Sequence, residues 1–140
     1  MAVLESDALR KVFTPQPRYD EQERNLFYRE MIYVGALLVE HGVSVIFDAT
    51  ANRRAYRAAA RAEIPMFLEV YVECPLEVCI AGDPKGIYRG GLEGASRTVP
   101  GTQVAYEPPE APDVLVCGDR DPVETAAERV ISKLAEKGYL

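Results

Sequence analysis

The chain has 140 residues, one domain's worth, with 48% hydrophobic and 27% charged residues and a formal net charge of −6. That acidity argues against a general nucleic-acid binder or a protein held on an anionic membrane surface, and no apolar run approaches the ~20 residues that span a bilayer. One histidine, and three cysteines without CxxC spacing, remove histidine-centred triads, multi-histidine metal sites, a disulfide frame and a zinc site.

Ala2-Val3-Leu4 reads as a short strand running into Glu5-Ser6-Asp7, with Arg10 and Lys11 on a short helical turn beyond it. Thr14-Pro15-Gln16-Pro17 is a stiff loop, because each proline biases its predecessor away from helix. A long helix starts near Asp20, whose side chain caps it, with Glu23 completing a capping-box pattern. Its apolar face is Phe27, Met31, Val34, Leu37, Leu38 and His41, and Gly42 ends it. His41 sits where an imidazole meets the last carbonyls of the helix, not where a catalytic base is expected.

Val43–Phe47 is an almost continuous apolar run, the pattern of a strand buried on both faces in a parallel sheet. It ends in Asp48-Ala49-Thr50, followed by a helix over Arg53–Ala62 that stops before Pro65. Met66–Val72 is the next strand, and Cys74-Pro75 opens a short helix. The three cysteines, Cys74, Cys79 and Cys117, lie in or beside apolar runs as small buried thiols.

Gly82, Gly86, Gly90, Gly91, Gly94 and Gly101 then punctuate a segment that carries Lys85, Arg89 and Arg97. Glycines at that density disfavour helix and strand. The segment reads either as a flexible surface excursion or as a lid, at about 82–104, whose cations close over an anionic substrate and exclude water. Tyr106-Glu107-Pro108-Pro109 is a rigid loop and Asp113–Cys117 a last strand. Asp121-Pro122-Val123-Glu124 starts a closing helix that turns Val123, Ala127, Val130, Ile131 and Leu134 inward. Strand and helix alternate throughout, which gives an α/β fold with a mainly parallel sheet and one domain over 1–140.

In such a sheet the strand carboxyl ends share an edge, so Glu5-Ser6-Asp7, Asp48-Ala49-Thr50 and the stretch from Cys74 to Asp83 converge there. Arg10, Arg24, Arg29, Arg53, Arg54 and Arg57 come from the intervening segments. Singly each fits a solvated helix face; together they make an anion site. Arg24 and Arg29 are five apart, about 140° around a helix, so that helix alone does not join them in one patch.

Several motifs resemble those of the adenylylsulfate (APS) kinases. Pro75-Leu76-Glu77-Val78-Cys79 with Asp83-Pro84-Lys85-Gly86-Ile87-Tyr88 is similar to their PLEVCxxRDPKGLY. Tyr106-Glu107-Pro108-Pro109 resembles their YExP, and Leu4-Glu5-Ser6-Asp7-Ala8-Leu9-Arg10 their LDGDNxR. Asp48 to Arg54 is similar to the corresponding strand end of a bacterial subgroup. The likeness runs in order from about Leu4 to the C-terminus. It implies a P-loop-NTPase-like three-layer fold and transfer of the γ-phosphoryl group of ATP, with Mg²⁺, to the 3′-hydroxyl of APS in sulfate assimilation, giving PAPS. It further implies a cytoplasmic enzyme acting on a small nucleotide, with no nucleic acid or membrane as partner, and a homodimer.

Carried over position by position, the resemblance makes Asp7 the catalytic carboxylate, by the acceptor hydroxyl or on the metal side. Arg10 and Arg24 hold the phosphosulfate, with Arg29 and Asp48 also on the substrate side. Lys85 approaches nucleotide and substrate, Gly86 and Ile87 shape the adenine contact, and Asp83 and Tyr106 face the cofactor. The sequence departs from the pattern at Gly82, where arginine is usual, at Glu5 and Ser6, which replace Asp and Gly, and at Phe27, where many members have asparagine. No G-x-x-x-x-G-K-[ST] occurs in the chain. The resemblance places the strand before that motif between the Val43–Phe47 and Met66–Val72 strands. The expectation is therefore a kinase domain without its P-loop segment, a truncated piece of a longer kinase. The alternatives are a non-catalytic nucleotide-binding or interaction module, and another small-molecule kinase of this fold.

Overall fold

The computed structural model describes residues 1–83, 85–93, 99–101 and 104–140. Pro84, Arg97 and the parts of the expected lid at 94–98 and 102–103 lie outside the described residues. The chain divides into two compact units, Met1–Phe67 and Leu68–Leu140.

In the first unit β1 (Ala2–Glu5) pairs in parallel with β2 (Val45–Asp48), so that Leu4 stands beside Phe47 and Glu5 beside Asp48. Helix α1 (Ser6–Phe13) begins directly after β1, a full helix where the sequence suggests only a turn. Its extra length buries Leu9 and Phe13 against the core of Leu4, Phe27, Tyr28, Met31 and Tyr56. Helix α2 (Glu21–Glu40) has the expected cap: Glu23 N–H donates to Asp20 Oδ1 at 2.8 Å. The Glu23 carboxylate completes the start by accepting from the backbone N–H groups of Arg18 and Tyr19.

Phe27 and Met31 are fully buried as the helical spacing predicts, but Leu37 is 43% exposed, and Arg24, Tyr28, Ile32 and Gly35 are buried instead. The face is turned because β2 approaches Gly35 so closely that a Cβ there would lie 2.1 Å from Phe47 Cζ. His41 Nδ1 meets the Leu37 carbonyl at 2.8 Å, a helix-end contact. Helix α3 (Arg54–Glu63) closes the unit. The β strands are not buried on both faces: Leu4 is covered by the helices, whereas Val3 and Ile46 point the other way, 59% and 47% exposed.

In the second unit β3 (Val70–Glu73) pairs in parallel with β4 (Val114–Cys117). The strand expected from Met66 starts four residues later, since Met66 has a left-handed φ of 56° that no strand accommodates. Helix α4 (Leu76–Ala81) has Pro75 as its N-cap. Helix α5 (Ile87–Leu92) then lies inside the glycine-rich segment, against the expectation that glycines would exclude one. The Asp83 carboxylate supplies what the glycines lack, accepting from the N–H groups of both Ile87 and Arg89 at 2.9 Å.

Helix α6 (Val123–Glu136) is capped differently from expectation. The Asp121 carboxylate accepts from Cys117 N–H and from the Arg129 side chain rather than from the first backbone N–H groups of the helix. Of the residues expected inward, Val130 and Leu134 are half-buried, whereas Val123 and Ile131 are 79% and 55% exposed and Ala127 is exposed as well. No helix among the described residues is long and apolar enough to cross a membrane.

Candidate functional site

In the first unit parallel pairing sends both strand ends to one edge, where β1 runs into α1 and β2 into the loop 49–53. Asp7 and Asp48 are exposed there. One turn along α1, Arg10 lays its guanidinium on the Phe27 ring, 3.9 Å from Cζ to centroid, with the Tyr19 ring at 5.1 Å. Its Nη1 is buried and has no hydrogen-bond partner among the described residues; Glu23 Oε1 pairs with it electrostatically at 3.7 Å, too far for a hydrogen bond.

Arg24 enters from α2, only 7% exposed, and its Nη1 donates to Asn52 Oδ1 at 3.3 Å. One helical turn further, Tyr28 accepts from Ala51 N–H at 2.8 Å. Burial raises the Tyr28 pKa, while the Ala51 hydrogen bond and the positive charges of Arg10 and Arg24 pull it down. Both guanidiniums therefore act on one phenol, beside the packed aromatic rings of Phe27 and Tyr28. Paired guanidiniums suit an anionic group.

Of the residues picked from the sequence, Arg10 and Arg24 are brought together. Arg29 is exposed on α2 and turned away from the cluster, as the spacing implies. Arg53 pairs with Glu21 at 2.8 Å, and Arg57 donates to the Ala51 carbonyl. Asn52, Tyr28, Tyr56 and Asn25 were not picked. A faint signal existed for two of them: Asn25 follows Arg24 directly, and Tyr28 stands four residues on, on the same helix face.

In the second unit Asp83, expected to face a cofactor, spends both carboxylate oxygens on the start of α5. Lys85 is exposed, Gly86 has the left-handed φ of 66° that favours glycine, and Ile87 is 47% exposed. Tyr106 stacks on Tyr71 of β3, with centroids 6.2 Å apart and planes 16° from parallel. A cavity of about 380 Å³ is lined by Ile80, Ala81, Gly82, Asp83, Arg89, Leu92 and Glu93. Gly82 thus opens onto space at the position where the resembled motif carries arginine.

Cys74 and Cys79 flank the first turn of α4, where the residue before an N-cap meets the fourth residue of the helix. The Cys74 thiol is pushed up to about 11, chiefly by its hydrogen bond with Cys79 and then by burial. Tyr88 is also raised, first by burial and next by Cys79. Among the described residues no group of three or more His, Cys, Asp or Glu side chains is arranged to hold a metal.

The family model for adenylylsulphate kinase matches residues 1–117. A probable adenylyl-sulfate kinase of Pyrococcus abyssi is 39% identical over 99% of this chain and 79% of its own length. The adenylyl-sulfate kinase of Myxococcus xanthus is 38% identical over 99% of this chain and 77% of its own. Among solved structures, the Mycobacterium tuberculosis APS kinase CysC in complex with AMPPNP and APS superposes with a TM-score of 0.86 at 30% identity, covering 96% of this chain and 79% of that one.

Proposed function

Because the chain belongs to the adenylylsulphate kinase family, we propose that it serves ATP-dependent phosphorylation of the 3′-hydroxyl of APS, giving PAPS. The observation that carries this reading is the buried Nη1 of Arg10, a cationic donor with no hydrogen-bond acceptor among the described residues, which with the buried Arg24 acts on Tyr28. A phosphosulfate supplies the acceptor that Arg10 Nη1 does not find among the described residues, and Phe27 and Tyr28 pack together in the same cluster. Arg10 and Arg24 then hold the substrate's anionic end, and Asp7, at the head of α1, accepts the proton the 3′-hydroxyl loses on attack. Positioning and cationic neutralisation are what phosphoryl transfer chiefly needs.

Lys85, Gly86, Ile87 and Tyr106 are assigned to the nucleotides, and Arg29 and Asp48 to the outer substrate side. Asp83 contributes through α5, whose first turn it holds. The residues fit an acceptor nucleotide better than a triphosphate, since G-x-x-x-x-G-K-[ST], the loop that wraps β- and γ-phosphates, is not among these 140 residues. The alternative place for Asp7 is the metal side, where Mg²⁺ bound through phosphates and water asks for only one or two protein oxygens. We place the protein in the cytoplasm as a homodimer in sulfate assimilation, with 1–140 acting as one domain.

The absent sequence motif favours a second reading, a nucleotide-binding module built from a kinase framework. Chromatographic detection of PAPS from APS, ATP and Mg²⁺ decides between them. ATP-dependent product sustains the kinase reading. Calorimetric binding of APS without product moves the chain to the module, and absence of APS binding overturns both.

A further inference from the structure

Arg24 is a charged side chain almost wholly removed from water, and its Nη1 donates to the Oδ1 of Asn52, itself only 2% exposed. The chemistry of that partner matters. A carboxylate there would bring negative charge to the guanidinium, whereas an amide oxygen fixes its orientation and adds no charge of its own.

Asn52 reaches this place because the chain turns sharply just before it. Ala51 has φ 40°, in the left-handed region that residues with a Cβ adopt only when their surroundings hold them there. Both of its peptide groups are tied: its N–H donates to the Tyr28 hydroxyl at 2.8 Å, and its carbonyl accepts from Arg57 Nη1. Tyr28 is fixed in turn by the Tyr56 ring, stacked at 4.3 Å with planes 22° apart, and the Tyr56 hydroxyl donates to Asn25 Oδ1 at 2.6 Å. The contacts thus run from α2 through α3 and the loop between β2 and α3, and back to Arg24 on α2.

We propose that Asn52, set by the Tyr28–Ala51 hydrogen bond, is the positioning residue of Arg24, aiming its guanidinium at a sulfate- or phosphate-type group without neutralising it. The inference rests on the reading of Arg24 as a ligand of the APS phosphosulfate. Strain at Ala51 is the device that makes the aim rigid: released, the loop relaxes and Asn52 leaves the guanidinium.

Three variants of the full chain test it, Asn52→Ala, Asn52→Asp and Tyr28→Phe, read by the NMR resonance of the Arg24 side-chain Nε–H and by calorimetry with APS. The resonance is expected to be dispersed and protected from exchange in the wild type, to move to the free-arginine position in Asn52→Ala, and to shift in Tyr28→Phe. APS affinity falls about tenfold in Asn52→Ala, the order of one hydrogen bond to a charged group. Asn52→Asp is nearly isosteric, so it keeps the Arg24 resonance ordered and yet weakens APS at least as much, because it adds charge of the wrong sign. A merely structural Asn52 would not separate those two readouts. If Asn52→Ala fails to fold, Asn52→Asp and Tyr28→Phe decide. An unchanged Arg24 resonance in Asn52→Ala or Tyr28→Phe overturns the positioning role, and wild-type affinity in Asn52→Asp overturns the charge argument. A wild type that does not bind APS overturns the substrate reading, while the resonance alone still decides the positioning.

Discussion

Arg10 sits badly if stability is its only purpose. A buried cationic donor left without a hydrogen-bond acceptor costs about 1–3 kcal/mol, which the Phe27 ring and the Glu23 carboxylate at 3.7 Å offset only in part. Arg10 nevertheless holds this place on the Phe27 ring with its Nη1 unbonded. Arg10→Met is therefore expected to lower the melting temperature only slightly while weakening APS by more than about tenfold. A melting temperature lowered by many degrees would instead make Arg10 a structural partner of Glu23 and Phe27. Cys74 gives a second residue-level test. Its thiol is pushed up to about 11 mainly by the hydrogen bond with Cys79, so at pH 8 little thiolate is present and alkylation is slow. Cys79→Ala removes the largest cause, lowers the Cys74 pKa and speeds alkylation of Cys74 at pH 8. An unaltered rate profile would show that the two thiols do not interact.

Among the elements, α5 depends on Asp83 more than on its own residues, two of which are glycine. Asp83→Ala should destabilise that turn by about 1 kcal/mol, a typical cap loss, seen as faster hydrogen exchange at Ile87 and Arg89 with little change in global melting. Lys85→Ala, on the exposed turn just before α5, should weaken nucleotide binding while leaving the melting temperature in place, because an exposed loop lysine carries little fold energy. A sharp fall in melting temperature would contradict its assignment to ligand. The α2–β2 contact makes the opposite prediction. A methyl group at Gly35 would meet the Phe47 ring at 2.1 Å, so Gly35→Ala should cost about 1–3 kcal/mol through overpacking, measured by denaturant unfolding.

Over the whole molecule, legibility followed how local each signal was. The cap and end of α2, the strand β4 and the parallel α/β character are written in neighbouring residues and are legible there, whereas the buried face of α2 depends on β2 and is only partly so. The full length of helix α1 is not legible because its Leu9 and Phe13 gain their value from the core, nor is α5, because a side chain four residues upstream offsets its glycines. The inward face of α6 is legible at Val130 and Leu134 but not at Val123 and Ile131, which are exposed. In the site, Arg10 and Arg24 were legible from their motifs and placement, whereas Asn52, Tyr28 and Tyr56 meet only through folding of a loop strained at Ala51. Asp121 also bears on acid stability. Its pKa is lowered, first by the Cys117 N–H and then by Arg129, although burial opposes. Its contribution is present above the ordinary aspartate value of 3.8 and is lost as pH falls through the lower folded value. Asp121→Asn should flatten the acid limb of the stability curve. The central claim is that the first unit holds the phosphosulfate of APS through Arg10 and Arg24, and calorimetric titration of the full chain with APS and with AMP tests it most directly. APS should bind more than about tenfold tighter than AMP, as extra charge-assisted hydrogen bonds to the sulfate require, and the preference should vanish in Arg10→Met. Equal affinities for the two nucleotides, or no binding of APS, would contradict it.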